Sequence, residues 1–194
     1  MYVVFPRYRL RVSLFSLPAF FMMLYLEGLL PTALLLLSAL LHEAGHLLAI
    51  RRMGAPIRRV DLLPMGGLIV YDQTTVSPKG CAIISAAGPV ANLLAMLCCL
   101  PLVPLSPYLL FFVIANAFLA FLNLLPWEAL DGGSLLFHLL LAKTDPLHAE
   151  VVCKWVSRLT TVFLALFLSL LGLYSQFPLW HLLLSAMLLI AAFR

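Results

Sequence analysis

The chain has 194 residues, of which 64% are hydrophobic and 10% are charged, and its formal net charge is +4. A mean hydropathy of +1.09 lies far above that of soluble globular domains and predicts a single membrane-embedded domain over residues 1–194. No soluble basic surface remains on which nucleic acid could dock, so nucleic-acid binding is excluded.

The apolar runs predict an all-α polytopic membrane protein with about six transmembrane helices. A helix needs roughly 20 residues to cross the hydrocarbon core, with a range near 17–25, and the first run is short for a span. A removable signal peptide is not expected, because no small-residue cleavage site appears before Glu27 and a second apolar run follows at once. The predicted spans are Val12–Leu26, Leu30–Ile50, Cys81–Val103, Pro107–Leu125, Val156–Tyr174 and Leu179–Phe193.

Basic residues predict the orientation of these spans. With six spans, all twelve Lys and Arg residues fall on one side of the membrane, and the three connections on the opposite side contain none. Basic residues concentrate in cytoplasmic loops. We therefore expect a multi-pass protein of the cell membrane with both termini in the cytoplasm.

The second predicted span contains the sequence His42-Glu43-Ala44-Gly45-His46. Residues four apart share one helix face, so both imidazoles can reach one Zn²⁺, and the glutamate beside them is placed to accept a proton from a water molecule. Ionisable residues inside a membrane helix usually serve a function. The alternative is a buried polar cluster that holds no metal.

Between the second and third spans, residues 60–71 are too few to cross the membrane and too apolar for an ordinary loop. Pro64 and the pair Gly66-Gly67 predict a turn between two short β-prone runs. Irregular backbone at membrane depth is tolerated only beside protein or a water-filled cavity. We therefore expect a short membrane-associated β-hairpin that dips toward the histidines.

The third and fourth spans supply further polar residues. Gly88-Pro89 precedes Asn92 in the third span, where the amide serves either helix packing or the site. A catalytic zinc site usually has three protein ligands. The preferred third ligand is Asp131, which follows a helix break at Pro126 and precedes two glycines; Glu128 is the alternative.

Together, the H-E-x-x-H, G-P-x-x-N and N-x-x-P-x-x-x-x-D-G-G motifs resemble those of the site-2 protease family of intramembrane zinc metalloproteases. The motifs lie on three of the six predicted spans, in the family's order. The resemblance implies His42, His46 and Asp131 as zinc ligands and Glu43 as the catalytic glutamate. It also implies Asn92 and Asn123 as residues near the site, where they would hold an oxyanion or position the substrate.

The Leu-Leu-Pro-Met-Gly-Gly stretch resembles the stage IV sporulation protein FB branch of that family, which also has six spans. That branch usually carries a nucleotide-sensing CBS domain, and no such domain is expected within the 194 residues.

The sequence therefore predicts a zinc-dependent intramembrane endopeptidase with one Zn²⁺ per chain. Its substrates would be transmembrane or membrane-proximal segments of client proteins in the lipid bilayer, cut in regulated intramembrane proteolysis under a regulatory membrane partner. One alternative is a catalytically silent scaffold of the same fold that binds client proteins, which the intact Glu43 disfavours. A zinc transporter is disfavoured because no internal repeat is apparent.

Overall fold

The residues that the computed structural model describes are 2–5, 10–13, 16–63, 66–174 and 185–187. The chain divides into two compact units, Met1–Asn123 and Leu124–Arg194. The single domain over residues 1–194 stays a prediction.

Among the described residues, helices dominate both units, and four strands lie in the first. The elements are β1 (Tyr2–Phe5), β2 (Leu10–Ser13), α1 (Ser16–Glu27), α2 (Leu29–Arg52), β3 (Ile57–Leu63), β4 (Gly66–Tyr71), α3 (Pro78–Cys99), α4 (Pro107–Leu124), α5 (Asp131–Leu141) and α6 (Pro146–Tyr174). Two short 3₁₀ segments, Gln73–Thr75 and Leu100–Leu105, lead into and out of α3.

Four helical segments of the described chain are long and apolar enough to cross a membrane. They are Leu29–Arg52, Pro78–Leu105, Pro107–Leu124 and Pro146–Leu173. These segments correspond to the second, third, fourth and fifth predicted spans, although α6 begins at Pro146 rather than at Val156. The break after the fourth span also matches, because α4 ends at Leu124, shortly before Pro126.

The count of six spans is not confirmed. The first predicted span starts in the wrong place, since Val12 belongs to β2 and the helix that follows has only 12 residues. At 1.5 Å per residue such a helix is about 18 Å long, short of the hydrocarbon thickness. The sixth predicted span, Leu179–Phe193, lies outside the described residues except for 185–187, which are helical.

The hairpin predicted between the second and third spans is confirmed, and it is part of a larger sheet. β3 and β4 pair antiparallel, with Asp61 opposite Leu68. Gly66 and Gly67 are strand residues of β4, not turn residues as the sequence suggested. The sheet order is β1-β2-β3-β4, so β4 is an edge strand of the described sheet, and β2 runs parallel to β3.

The connection from α2 through the hairpin to α3 is held by local signals. Gly54 follows α2 with a φ of +71°, and the N–H groups of Gly54 and Ala55 donate to the carbonyls of Arg51 and Ile50, which closes the helix end. Arg58 donates to Asp72 across 2.7 Å. That hydrogen bond holds the pKa of Asp72 at about 2, so the pair stays charged at neutral pH. Ser77 caps α3 by accepting from the N–H of Gly80.

Helices α2 and α3 cross closely because small residues face each other. A Cβ added to Gly45 would lie 2.8 Å from the Cβ of Ala91 and would also meet the carbonyl oxygen of Ala87. Such small-residue contacts let membrane helices approach backbone to backbone. The crossing brings the histidine face of α2 against the middle of α3.

Candidate metal centre

The two histidines of the H-E-x-x-H sequence present the same ring nitrogen to one point. Nε2 of His42 and Nε2 of His46 are 3.1 Å apart. His42 is buried, with 7% of its surface exposed. The i and i+4 spacing on one helix accounts for the arrangement, because it stacks the two side chains on one face.

The tautomer of His42 follows from the hydrogen bonds beyond it. The amide nitrogen of Asn92 lies 3.0 Å from the backbone carbonyl of Ser38, which can only accept, so this end of the amide is the NH₂ group. The amide oxygen of Asn92 then faces Nδ1 of His42 across 2.6 Å. Because that oxygen can only accept, Nδ1 carries the proton and Nε2 carries a lone pair.

His46 is held in the same tautomer by the backbone of α3. Its Nδ1 donates to the carbonyl oxygen of Ile84 across 2.8 Å. Two Nε2 lone pairs therefore converge, and a cation between them removes their mutual repulsion. Two nitrogens bound to a tetrahedral Zn²⁺ at 2.0–2.1 Å lie about 3.3 Å apart, so the observed spacing fits this metal.

Gly88 of α3 keeps space open at the converging nitrogens. A Cβ at this position would lie 2.7 Å from Nε2 of His42 and would also clash with Nε2 of His46. No side chain can occupy this place without displacing a histidine. The sequence showed Gly88 only as a part of the motif that contains Asn92, and the structure places it directly against the candidate metal centre.

Glu43 is held by the hairpin. The N–H of Gly67 donates to Oε1 of Glu43 across 3.0 Å, and a Cβ at Gly67 would lie 2.7 Å from the carboxyl carbon. The sequence placed the hairpin near the histidines but did not identify this contact. Only glycine in β4 lets the strand backbone approach the carboxylate so closely.

Two polar residues that no motif contains lie behind Asn92. Asn116 of α4 accepts from the amide of Asn92 across 2.8 Å, and its own amide donates to the hydroxyl of Ser38 across 2.9 Å. Asn92, Asn116 and Ser38 each have 0% exposure. A signal existed for Asn116, since it is the one amide amid the apolar run of α4 before Asn123.

The remaining predicted residues lie toward the C-terminal part of the chain. The amide of Asn123, at the end of α4, donates to the carbonyl of Leu119 across 3.0 Å. Asp131 belongs to the second unit and is the first residue of α5. There a Cβ at Gly133 would lie 2.5 Å from the carbonyl carbon of Trp127, so the glycine allows the preceding loop to fold against the helix start. The N–H of Glu128 donates to the hydroxyl of Ser157 on α6.

Comparison with known proteins gives concordant matches. The family model of peptidase family M50 matches residues 31–107 and 100–167. A zinc metalloprotease of Methanocaldococcus jannaschii is 29% identical over 150 residues, which are 74% of this chain and 42% of that protein. Stage IV sporulation protein FB of Bacillus subtilis is 35% identical over 117 residues, which are 58% of this chain and 40% of that protein. The chain thus spans less than half the length of these relatives.

A solved structure shares the fold. The site-2 protease from Methanocaldococcus jannaschii aligns with a TM-score of 0.67 and 23% identity, over 99% of this chain and 94% of that one. Together with four helices that are apolar enough to cross a bilayer, the matches identify a multi-pass integral membrane protein. They confirm the resemblance seen in the three motifs: the chain belongs to peptidase family M50, the site-2 protease family.

Proposed function

We propose that the chain is a zinc-dependent intramembrane endopeptidase. The observation that carries the proposal is the convergence of Nε2 of His42 and Nε2 of His46, 3.1 Å apart, with the carboxylate of Glu43 on the same turn of α2. Family membership supports the reaction class, since the relatives are named as zinc metalloproteases.

The ligand set that we propose is His42, His46 and Asp131, with one Zn²⁺ per chain. Asp131 is chosen over Glu128 because it begins α5, directly before the glycine pair, and because it occupies the aspartate of the family motif. Three protein ligands leave the fourth position open, as catalysis requires. When bound, the metal lowers the pKa of a coordinated water toward neutrality and polarises a carbonyl oxygen.

Glu43 is proposed as the general base and acid. Its Oε1 accepts the hydrogen bond from Gly67, which orients the carboxylate and leaves Oε2 to receive the proton of the attacking water. The same oxygen then gives the proton to the leaving amine as the peptide C–N bond breaks. The hairpin therefore has a positioning role for the catalytic glutamate.

The two asparagines have different proposed roles. Both amide protons of Asn92 point to acceptors, namely the Ser38 carbonyl and the Asn116 side chain, so we assign Asn92 to the support of His42. Asn123 uses one of its two amide protons on Leu119. The second proton can serve an oxyanion, and Asn123 is therefore our proposed oxyanion donor.

The proposed substrates are transmembrane or membrane-proximal segments of client proteins in an extended form. Gly67 directs its N–H to Glu43, whereas Asp72 directs its N–H to Pro56 just before β3. N–H directions alternate along a strand. The N–H groups of Leu68 and Val70 therefore point toward β3, and the N–H group of Ile69 points to the outer edge of β4. An unwound substrate can pair there as an added strand and so replace the main-chain hydrogen bonds that it loses.

The depth of the site agrees with such substrates. His46 and His42 precede the end of α2 at Arg52 by six and ten residues, which is about 9 and 15 Å along the helix. In the proposed orientation, with both termini in the cytoplasm, the site lies inside the membrane near the cytoplasmic face. A membrane partner that regulates access is part of the proposal.

Client trapping tests this function. Cells that produce the wild type or Glu43→Gln are compared for the new N-termini of membrane proteins by mass spectrometry. We expect a set of membrane-segment cuts in the wild type that is missing with Glu43→Gln, whose uncut clients accumulate. Identical sets of N-termini in both cultures would contradict the endopeptidase.

A further inference from the structure

Behind His42 lies a ring of buried polar side chains that joins three helices. Asn92 on α3 donates to Oδ1 of Asn116 on α4 across 2.8 Å. Asn116 donates to the hydroxyl of Ser38 on α2 across 2.9 Å, and the carbonyl of Ser38 accepts from Asn92 across 3.0 Å. Each residue is fully buried, so no water competes for these groups in the described structure.

The donors and acceptors of this ring can be arranged in one way only. The carbonyl oxygens of Ser38 and Phe112 cannot donate, and they face the amide nitrogens of Asn92 and Asn116. A flip of either amide would set oxygen against oxygen in a dry site, where an unsatisfied polar group costs about 1–3 kcal/mol. The hydroxyl of Ser38 accepts from Asn116 because its own proton is donated to the carbonyl of Leu34.

We propose that Asn116 and Ser38 act through Asn92 as positioning residues that hold His42 in its metal-binding tautomer. The inference rests on the proposed role of His42 as a zinc ligand. With Asn116 in place, the Asn92 oxygen is fixed toward Nδ1 of His42. Without Asn116 the Asn92 amide loses one of its two acceptors, and only the Ser38 carbonyl still opposes a turn of its NH₂ toward Nδ1. Such a turn selects the tautomer of His42 with the proton on Nε2. That tautomer offers no lone pair to a metal at Nε2.

Interhelical packing is the competing role for the same residues, because amides inside a membrane bundle often join helices. The two roles differ in what they predict for a pair of substitutions. A packing role makes the effects of Asn92→Ala and Asn116→Ala on zinc affinity small, and places the main loss in the stability of the protein. A positioning role makes the effect of Asn116→Ala depend on the presence of Asn92.

A double-mutant cycle on zinc affinity separates these roles. The affinity of detergent-purified full-length protein is measured by competition with a chromophoric chelator. We expect Asn92→Ala to weaken zinc binding by about 10- to 100-fold, and Asn116→Ala by about 10-fold, the range seen for supporting residues of metal ligands. The double variant should bind zinc as Asn92→Ala does. An Asn116→Ala protein with wild-type affinity, or a double variant whose loss is the product of the two single losses, would overturn the proposal.

A matched control and a milder variant guard against misfolding. Thr32→Val removes a hydroxyl that is equally buried on α2 and that has no hydrogen-bond partner among the described residues, so zinc affinity should not change. Ser38→Ala removes one acceptor of Asn116 and keeps both amides, and it should weaken zinc binding less than Asn116→Ala does. If Ser38→Ala binds zinc as Thr32→Val does, the ring has no positioning role.

A metal-free measurement distinguishes this inference from the proposed function. The ¹⁵N shifts of labelled histidine in apoprotein report the tautomer of His42, assigned by its loss in His42→Ala. We expect the Nδ1–H form in the wild type and a mixture in Asn116→Ala. A wild type that keeps this tautomer but cleaves no client would refute only the proteolytic function. An active wild type whose tautomer is unchanged by Asn116→Ala would refute only the positioning role.

Discussion

Gly88 meets a steric demand that no other residue can meet. Its missing side chain leaves the space in which Nε2 of His42 and Nε2 of His46 converge. We predict that Gly88→Ala lowers zinc affinity at least about 10-fold, as displacement of a ligand by a supporting group would. Alanine is about 1 kcal/mol better than glycine within a helix, so α3 itself should not be weakened.

Chelator competition measures the zinc affinity of Gly88→Ala, and circular dichroism checks its helix content. Gly45→Ala is the matched comparison, since its added Cβ meets the Ala87 backbone at the helix crossing. That variant should lose stability as a whole rather than zinc affinity alone. Zinc affinity at the wild-type level in Gly88→Ala would mean that the metal does not lie between the two Nε2 atoms.

The third ligand is tested by a pair of acidic residues. We predict that Asp131→Ala weakens zinc binding by more than about 100-fold, beyond the loss expected for a supporting residue, while Glu128→Ala keeps about one zinc per chain. Chelator competition measures the zinc affinity of each variant, and elemental analysis measures its zinc content. Full zinc retention by Asp131→Ala together with loss in Glu128→Ala would transfer the ligand role to Glu128.

The candidate metal-binding histidines could be predicted because two ligands four residues apart share one face of a helix. Helix periodicity brings His42 and His46 together and leaves Glu43 beside them. The hydrogen-bond partners of Ser38 and Asn116 could not be predicted, because they come from other helices and no local pattern marks which polar residues will meet. The role of Gly67 was hidden for the same reason, since its contact with Glu43 requires the tertiary placement of β4.

Among the elements, the hairpin offers the sharpest test of substrate entry. Ile69→Pro removes an N–H that points to the outer edge of β4, and edge strands tolerate proline there. We predict unchanged zinc affinity and a fall in cleavage of about fivefold or more, the effect of one lost main-chain hydrogen bond of roughly 1 kcal/mol. The assay measures release of a cleaved client segment by protein in nanodiscs.

Leu68→Pro is the neighbouring control. Its N–H points toward β3, where Leu68 lies opposite Asp61, so proline should disrupt the hairpin and reduce stability as well as cleavage. If Ile69→Pro cleaves at the wild-type rate with its hairpin intact, the substrate does not pair with this edge.

The central helices could be predicted from length and hydropathy, whereas the N-terminal strands could not. The alternation in Leu10-Arg-Val-Ser13 has the period of a strand, yet the adjoining apolar run favoured a helix that begins at Val12. Strand pairing decides the structure of this segment: β2 lies parallel to β3, with Val12 opposite Leu62. Such long-range partners leave no mark in the local sequence.

For the molecule as a whole, the segregation of basic residues predicts the orientation in the membrane. Cysteines introduced at Thr144 and Ser106, in a variant without the native cysteines, should react differently with a membrane-impermeant reagent applied to intact cells. Ser106→Cys should be labelled from outside, and Thr144→Cys only after the membrane is opened. Labelling of Thr144→Cys in intact cells would reverse the orientation and place the site near the outer face.

Proton transfer by Glu43 at a zinc site is the step on which the proposed function depends. The most direct measurement is the rate of client cleavage by nanodisc-embedded wild type and Glu43→Gln at equal zinc occupancy. Glutamine preserves the shape of the side chain and an oxygen for the Gly67 N–H, but it cannot accept the proton. We predict that Glu43→Gln holds about one zinc per chain and cleaves at least ~10²-fold more slowly. Cleavage at the wild-type rate by zinc-loaded Glu43→Gln would show that Glu43 does not transfer the proton.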